Sequence, residues 1–202
     1  MQPAIKDYAI IGDCRSAALV STSGSIAWLC LPRFDSPTVF ASLLDVSRGG
    51  RFVVAPVERS RSERRYIPDT NVLETTFTTP SGVVRVTDVM TVDTEKAKAR
   101  ELWPEHELLR KVECLDGIVE VRIVFDPRFA YGQVVPRLER RDGAIYGEHG
   151  ASVLVLSTDV RLKAADDGPG VSGLERLGSG ECRYLSMTYA HGMPAVLASS
   201  AV

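Results

Sequence analysis

Short runs of residues that alternate between apolar and polar fill most of this chain, and turn-forming residues separate them. In Ile118–Phe125, for example, valine and isoleucine alternate with Glu120 and Arg122. A period of two places neighbouring side chains on opposite faces of a β-strand, so one face of this segment is predicted to be wet. Strands that recur at such short spacing indicate a large antiparallel β-sandwich.

Turn signals place the strands along the chain. The predicted strands are Tyr8–Ile11, Ala17–Ser21, Ile26–Leu31, Arg51–Ala55, Asn71–Thr78, Val83–Met90, Leu108–Leu115, Ile118–Phe125, Ala144–Tyr146, Ser152–Ser157 and Tyr184–Tyr189. Thr22-Ser23-Gly24, Pro80-Ser81-Gly82 and Asp116-Gly117 are predicted to close hairpins, because glycine accepts a positive φ without steric cost. The strand pattern continues without a linker rich in Pro, Gly or Ser, so residues 1–202 are predicted to form one domain.

Helical patterns are scarce in this chain. Apolar residues recur at helical spacing in Thr38–Leu44, where Ser36 is a plausible N-cap and Pro37 the first helical residue, so a short helix is predicted there. Asp93–Glu107 is charged and is interpreted either as one amphipathic turn or as a solvated loop. The charge run Glu58–Arg65 is interpreted as a solvated edge strand or loop. The predicted fold class is therefore all-β with one or two short helices.

Composition argues against several classes of partner. The formal net charge is −2, and nucleic-acid binders usually show a concentrated basic face, so no nucleic acid is expected. The N-terminus has no signal-peptide core, and no apolar run approaches the ~20 residues of a membrane helix. We therefore predict a cytoplasmic protein that does not bind membranes. Cys14, Cys30 and Cys114 lie beside apolar runs and are predicted to be buried free thiols.

Most chemical motifs in the chain have a structural interpretation. Gly168–Gly173 has the letters of a dinucleotide-binding loop, but Asp166-Asp167 before it would repel phosphate, and no helical pattern follows. His106, His149 and His191 have no second His or Cys at ligand spacing, so they are interpreted as surface turn residues. No catalytic residue, metal ligand or cofactor site is predicted.

One loop is harder to interpret as purely structural. In Pro32–Pro37 two prolines stiffen a segment that carries Arg33, Phe34 and Asp35. A guanidinium is a planar fork that fits a carboxylate or sugar hydroxyls. Arg33 could therefore pair with Asp35 or Asp126 as an internal brace, or belong to a surface that contacts a neighbouring domain.

A second segment, Asp126–Gly132, also follows a strand and carries Arg128 and Tyr131. Together the two segments supply the candidate site residues, which are Arg33, Phe34, Asp35, Arg128 and Tyr131.

Several blocks of the chain, in order, are similar to the N-terminal domain of the trehalase- and glucoamylase-like enzymes of glycoside hydrolase family 15. The blocks are Asp7–Asp13, Ala17–Ser21 with Gly24–Ile26, Trp28–Pro37, Tyr66–Pro68 with Asn71–Thr75, Gly82–Asp88, and Arg128–Phe129 with Tyr131–Gly132. They cover most of residues 5–135. The first block and Trp28–Pro37 are the most specific.

The resemblance implies a β-sandwich that packs on a catalytic (α/α)6 barrel. That barrel hydrolyses α-glucosides with inversion through two glutamates, and it follows the N-terminal domain in the family. No barrel is expected within these 202 residues, so the chain alone is predicted to be inactive. The candidate residues would then support the barrel or rim its active site.

Two alternatives remain open from the sequence. A free-standing carbohydrate-binding module would need exposed aromatic platforms, and aromatic residues total only 7% of the chain, with Trp103 as the plausible one. A self-assembling module would form a homo-oligomer through the face that otherwise contacts the barrel.

Overall fold

A computed structural model describes residues 3–92, 106–166 and 168–192. Its fifteen strands are β1 (Tyr8–Gly12), β2 (Ala17–Ser21), β3 (Ser25–Cys30), β4 (Thr38–Phe40), β5 (Arg51–Pro56), β6 (Arg61–Tyr66), β7 (Leu73–Thr79), β8 (Gly82–Met90), β9 (Glu107–Asp126), β10 (Leu138–Arg141), β11 (Ala144–His149), β12 (Ser152–Thr158), β13 (Lys163–Ala164), β14 (Val171–Gly178) and β15 (Cys182–His191). A 3-10 helix at Ile5–Asp7 and a short helical turn at Phe129–Gly132 complete the described elements.

The strands form two antiparallel sheets that share the long strand β9. In sheet A the order is β1-β2-β3-β5-β9-β14-β13, and β4 pairs with β3. In sheet B the order is β6-β7-β8-β9-β15-β12-β11-β10. The prediction of an all-β antiparallel sandwich is confirmed. Of the two interpretations of the charge run Glu58–Arg65, the edge strand holds for its last five residues, which belong to β6, and the first three precede that strand. Within the described residues, β6 pairs only with β7.

A β-bulge in β9 carries the chain from sheet B to sheet A. Val83 pairs with Asp116 and Val84 with Cys114, so Leu115 has no opposite residue. Gly117 follows with a φ of 73°. The inward positions change from even numbers up to Cys114 to odd numbers from Val119 onward.

The hairpin predicted at Asp116-Gly117 is therefore wrong, because β9 is continuous through it. The physical reason for predicting a turn at these two residues is nevertheless correct in part. Glycine supplies the positive φ that a tight turn needs, and certain bulges need the same conformation. The wet face predicted for the second half of β9 is confirmed, since Glu120 and Arg122 are exposed there.

Aromatic rings fill the centre of the space between the sheets on the side of sheet A. Phe52 and Phe125 pack edge to face with centroids 5.3 Å apart, and Phe40 lies 6.0 Å from Phe125. Phe40 belongs to β4, so the helix predicted over Thr38–Leu44 is wrong. Pairing with β3 and burial of Phe40 outweigh a helical spacing that extends over only seven residues.

A buried ion pair of sheet B contacts sheet A inside this core. Arg110 on β9 and Asp88 on β8 are both 0% exposed, and Arg110 Nε lies 2.7 Å from an Asp88 carboxylate oxygen. The guanidinium also donates to the carbonyl oxygens of Phe52 and Gly24, at 2.7 and 2.8 Å. Arg110 lies in the sheet B half of β9, whereas Phe52 belongs to β5 of sheet A and Gly24 to the turn between β2 and β3 of the same sheet, so this side chain fastens one sheet to the other.

Some of the remaining predictions from the sequence are confirmed, and others are wrong. All four cysteines are free, and Cys30 and Cys114 are buried as predicted, but Cys14 is exposed. Residues 171–178 form β14 directly after Gly170, so the glycine-rich segment leads into a strand and opens no helix. Within the described residues, no helix has the length and apolar character that a membrane crossing requires. Asp93–Glu105 and Trp103 lie outside the described residues.

Candidate functional site

The loop between β3 and β4 presents a charged pair to solvent. Arg33 and Asp35 form a two-pronged ion pair, with Nε–Oδ1 at 3.0 Å and Nη2–Oδ2 at 2.9 Å. Both side chains are 70% exposed. Ser36 Oγ accepts a hydrogen bond from the Arg33 backbone N–H. Of the two braces considered from the sequence, Asp35 is thus the partner of Arg33.

The same loop exposes an aromatic ring while its backbone is held. The Phe34 N–H donates to the Arg15 carbonyl oxygen at 3.1 Å, yet the residue is 63% exposed. A large apolar side chain on an anchored backbone loses little conformational entropy when a partner covers it. The arrangement suits contact with another molecule or domain better than core packing.

Arg128 occupies a different environment from Arg33. It is buried, pairs with Asp126, and also donates to the Pro127 carbonyl oxygen. Its own N–H donates to the Val39 carbonyl oxygen of β4. Arg128 therefore holds the segment after β9 against β4 and does not present its guanidinium to a surface.

Tyr131 is displayed by a left-handed turn. Ala130, Tyr131 and Gly132 have φ values of 52°, 60° and 84° in succession, which is costly for the first two residues because a Cβ crowds the backbone. The Tyr131 N–H donates to Thr38 Oγ1 at 2.9 Å, and its ring lies 6.3 Å from the ring of Trp28. Tyr131 itself is half-exposed.

Strand β4 joins the two predicted clusters, because Thr38 comes directly after the proline-bounded loop and anchors the turn of Tyr131. We call the set Trp28, Arg33, Phe34, Asp35 and Tyr131 the aromatic–arginine surface. Aromatic faces and a guanidinium fork can contact sugar rings and hydroxyls, or the side chains of a second protein surface.

Asp35 is the one carboxylate among the five residues of the aromatic–arginine surface. Glycoside hydrolysis needs two carboxylates on either side of the scissile bond, whereas Asp35 is already engaged by Arg33. Among the residues that the structure describes, no group of three or more His, Cys, Asp or Glu side chains could hold a metal ion. The exposed rings and the two-pronged Arg33–Asp35 pair have the chemical character of side chains that bind sugars or protein surfaces.

A buried contact between the sheets has no counterpart among the sequence predictions. His106 is buried and its Nδ1 lies 3.3 Å from Asp13 Oδ2, so its assignment to a surface turn is wrong. Asp13 also accepts hydrogen bonds from the N–H groups of Arg15 and Ser16. Burial by itself raises the pKa of Asp13, but the hydrogen bonds outweigh burial and hold the pKa below its usual range.

The local half of this contact has a sequence signal and the distant half has none. An Asp carboxylate that accepts hydrogen bonds from the N–H groups two and three residues later forms an Asx turn. The segment Asp13-Cys14-Arg15-Ser16 is compatible with such a turn, so the sequence could have indicated it. His106 lies 93 residues away and has no local pattern. The other two histidines, His149 and His191, are exposed as predicted, but they are the last residues of β11 and β15 and do not lie in turns.

Comparisons with known proteins give one consistent result. The family described as "Trehalase-like, N-terminal" matches residues 1–171. The chain is 40% identical over 158 residues to a trehalase of Mycolicibacterium smegmatis, and the alignment covers 72% of this chain and 23% of that protein. It is 38% identical over 168 residues to a trehalase of Thermoplasma volcanium, covering 81% of this chain and 26% of that protein.

A trehalase of Mycobacterium tuberculosis is 37% identical over 157 residues, with 72% of this chain and 23% of that protein covered. The chain thus spans about a quarter of the length of the curated relatives it matches.

Proposed function

We propose a function from one premise: the chain belongs to the family of trehalase-like N-terminal domains. In this proposal it is the non-catalytic N-terminal β-sandwich of a glycoside hydrolase family 15 enzyme of the trehalase or glucoamylase type. A catalytic (α/α)6 barrel elsewhere in that enzyme hydrolyses an α-glucoside. The sandwich supports the barrel and holds a surface at the rim of its active site.

The observation that carries the proposal is the partial coverage of the relatives. Three trehalases match this chain over 23 to 26% of their own length, which leaves most of each enzyme outside the match. Together with the lack of a facing carboxylate pair at the aromatic–arginine surface, this supports a division between a scaffold and a separate catalytic region.

The aromatic–arginine surface supports the rim role. Phe34 and Tyr131 are 63% and 48% exposed, and Arg33 and Asp35 contribute nothing to the core. Side chains that are exposed, anchored and chemically suited to sugars are more useful for recognition than for stability.

The test has two parts. The 202-residue chain alone should show no hydrolysis of trehalose or maltose. A chimera in which this chain replaces the N-terminal quarter of the Mycolicibacterium smegmatis trehalase should hydrolyse trehalose, because the catalytic region is retained. Turnover by the chain alone that is lost on substituting one of its carboxylates would contradict the proposal, and so would an inactive chimera.

A second candidate function is favoured by one observation, the contact of the half-exposed Tyr131 ring with the partly buried Trp28 ring. Such a pair could bind an α-glucoside without a barrel, as a carbohydrate-binding module does. Titration of the chain with trehalose and maltodextrin, followed by tryptophan fluorescence, tests it. A saturable change that disappears in Tyr131→Ala supports this candidate, and a flat response rejects it.

A further inference from the structure

We infer that the outer face of sheet A is where the rest of a trehalase-like enzyme docks, through a partner surface that carries carboxylates among apolar side chains. This inference rests on the proposed function and adds the location and chemistry of the domain interface. The face in question contains a groove of about 600 Å³, called here the sheet A groove, lined among others by Ser25, Arg51, Val53, Arg122, Val124 and Leu174.

Strand register explains how the groove is built. Ser25, Val53, Val124 and Ser172 lie opposite one another on β3, β5, β9 and β14, so they form one row across four strands. The row therefore has an apolar middle and a hydroxyl at each end. The two valines of such a row can pack against apolar side chains of a partner, while the two serines can form hydrogen bonds with its polar groups.

Two arginines flank this row on opposite sides. Arg51 lies two residues before Val53 on β5, and Arg122 lies two residues before Val124 on the antiparallel strand β9. Within the described part of the chain, neither guanidinium has an ion-pair or hydrogen-bond partner. Asp166 carries the only negative charge among the described residues that line the groove. The groove therefore favours a partner that supplies carboxylates.

Exposed apolar side chains on the same face add to the argument. Leu174, directly opposite Arg122 in the register, is 56% exposed, and Ile118 is 49% exposed. Val46 at the edge of the groove is 52% exposed. Apolar residues next to unpaired arginines are the composition expected of a protein interface.

The outer face of sheet B shows the contrasting arrangement. There an unbroken series of ion pairs crosses four strands, from Arg65 to Glu74 at 2.7 Å, to Arg85 at 3.4 Å, to Glu113 at 3.2 Å and to Lys111 at 3.2 Å. Charges that are already matched within one face gain little from a partner, since pairing would first require their desolvation. On the outer face of sheet A, by contrast, Arg51 and Arg122 have no such partner among the described residues.

A second copy of this chain fits the groove poorly. A two-fold contact would bring Arg51 and Arg122 of each copy toward the same residues of the other, and like charges at an interface are repulsive. The charge of the groove therefore favours the following region of the same enzyme over self-association.

The experiment uses the active trehalase chimera described above. Arg122→Glu and Leu174→Glu should each shorten the half-life of trehalose hydrolysis on heating by about tenfold or more, because each places a carboxylate against the partner's carboxylates. Arg61→Glu on β6 is the matched control, since Arg61 is exposed on sheet B and, among the described residues, its ion pair is with the exposed Glu63. It should leave the half-life unchanged.

Thermal denaturation of the 202-residue variants distinguishes an effect on docking from an effect on folding. All three variants should have the same melting temperature as the unsubstituted chain. The inference would be overturned if the chimera is active but Arg122→Glu and Leu174→Glu leave its half-life on heating equal to that of the control. That result would leave the proposed function intact. Two further results would also overturn the inference: trehalose binding to the chain alone that Arg122→Glu removes, or a dimer in sedimentation that the same substitution dissociates.

Discussion

Two arginine–aspartate pairs with nearly the same geometry have opposite surroundings in this molecule. Arg110 and Asp88 are fully buried, with Nε–Oδ1 at 2.7 Å, whereas Arg33 and Asp35 are each 70% exposed, with Nε–Oδ1 at 3.0 Å. The contrast shows that geometry alone does not decide what an ion pair does. The surrounding water, or its absence, determines how much either partner depends on the other.

The buried pair is structural because its charges cannot return to water without opening the core. Arg110 also holds carbonyl oxygens of sheet A, so its loss would affect both sheets. The exposed pair can exchange its partners for water at little cost. We therefore propose that the exposed pair on its fixed loop serves recognition more than stability.

The largest expected effect comes from breaking the buried pair. Asp88→Asn keeps the shape of the side chain but leaves the Arg110 guanidinium uncompensated in the core, so the free energy of unfolding should fall by about 3–5 kcal/mol. Urea denaturation of the 202-residue chain measures this change.

Asp35→Asn is the matched control for that substitution and should change the free energy of unfolding by less than about 1 kcal/mol. The double variant Asp88→Leu with Arg110→Met should recover part of the loss, because it removes both charges. Full recovery is not expected, since the carbonyl oxygens of Gly24 and Phe52 lose the guanidinium. Equal losses in Asp88→Asn and Asp35→Asn would refute the contrast between the pairs.

The bulge in β9 determines which way Arg110 points relative to the sheet A half of the strand, so it offers the next test. A Cβ on Gly117 would lie 2.2 Å from the Ser81 carbonyl oxygen, whereas one on Gly143 would meet nothing within 4 Å. Their φ values are 73° and 82°. Gly143→Ala should cost about 1–2 kcal/mol for the backbone conformation alone. Gly117→Ala should cost about 2–3 kcal/mol because backbone must also move.

Thermal denaturation of the two glycine variants checks this order. Equal melting temperatures would mean that the bulge relaxes without strain and does not control the register of β9.

The strands themselves could be predicted from sequence because their period is local. In β8, Val84 and Val86 are buried and Arg85 lies between them on the other face, as the alternation indicates. The bulge and β4 could not be predicted in the same way. An Asp-Gly pair has one preferred backbone conformation that serves a turn or a bulge, and only the partner strand β8 decides between them.

The two ion pairs show the same limit for side chains. Arg33 and Asp35 are two residues apart in a stiff loop, so their pairing is among the possibilities that the sequence presents. Arg110 and Asp88 are 22 residues apart, and they meet only because β8 and β9 pair directly opposite each other at these positions. Burial of the contact depends on packing against sheet A, which no local pattern encodes.

The Asp13–His106 contact allows a test, with a smaller expected effect, of how much a buried carboxylate contributes to the free energy of unfolding. The pKa of Asp13 is lower in the folded chain than in the unfolded chain, where it is about 3.9. Its contribution to stability is therefore fully present above the unfolded pKa and is lost as pH falls through the folded pKa.

Asp13→Asn should reduce the free energy of unfolding by about 1–2 kcal/mol at pH 6, because a charged acceptor of several hydrogen bonds is lost. The difference from the unsubstituted chain should shrink as pH falls below about 4. Urea denaturation from pH 6 to pH 3 measures it. A difference that stays constant over this range would show that the charge of Asp13 contributes nothing.

The smallest effect on stability is expected from Arg33→Ala, and its value lies in separating recognition from folding. Because both partners are exposed, the free energy of unfolding should change by less than about 1 kcal/mol. If this pair rims the active site, Arg33→Ala in the trehalase chimera should raise the KM for trehalose by about fivefold, since the loss of one hydrogen bond worth about 1 kcal/mol has that effect. Arg61→Ala on sheet B, which removes another exposed guanidinium, should leave KM unchanged. A normal KM in Arg33→Ala together with a large loss of stability would reverse the assignment and make the exposed pair a structural element like the buried one.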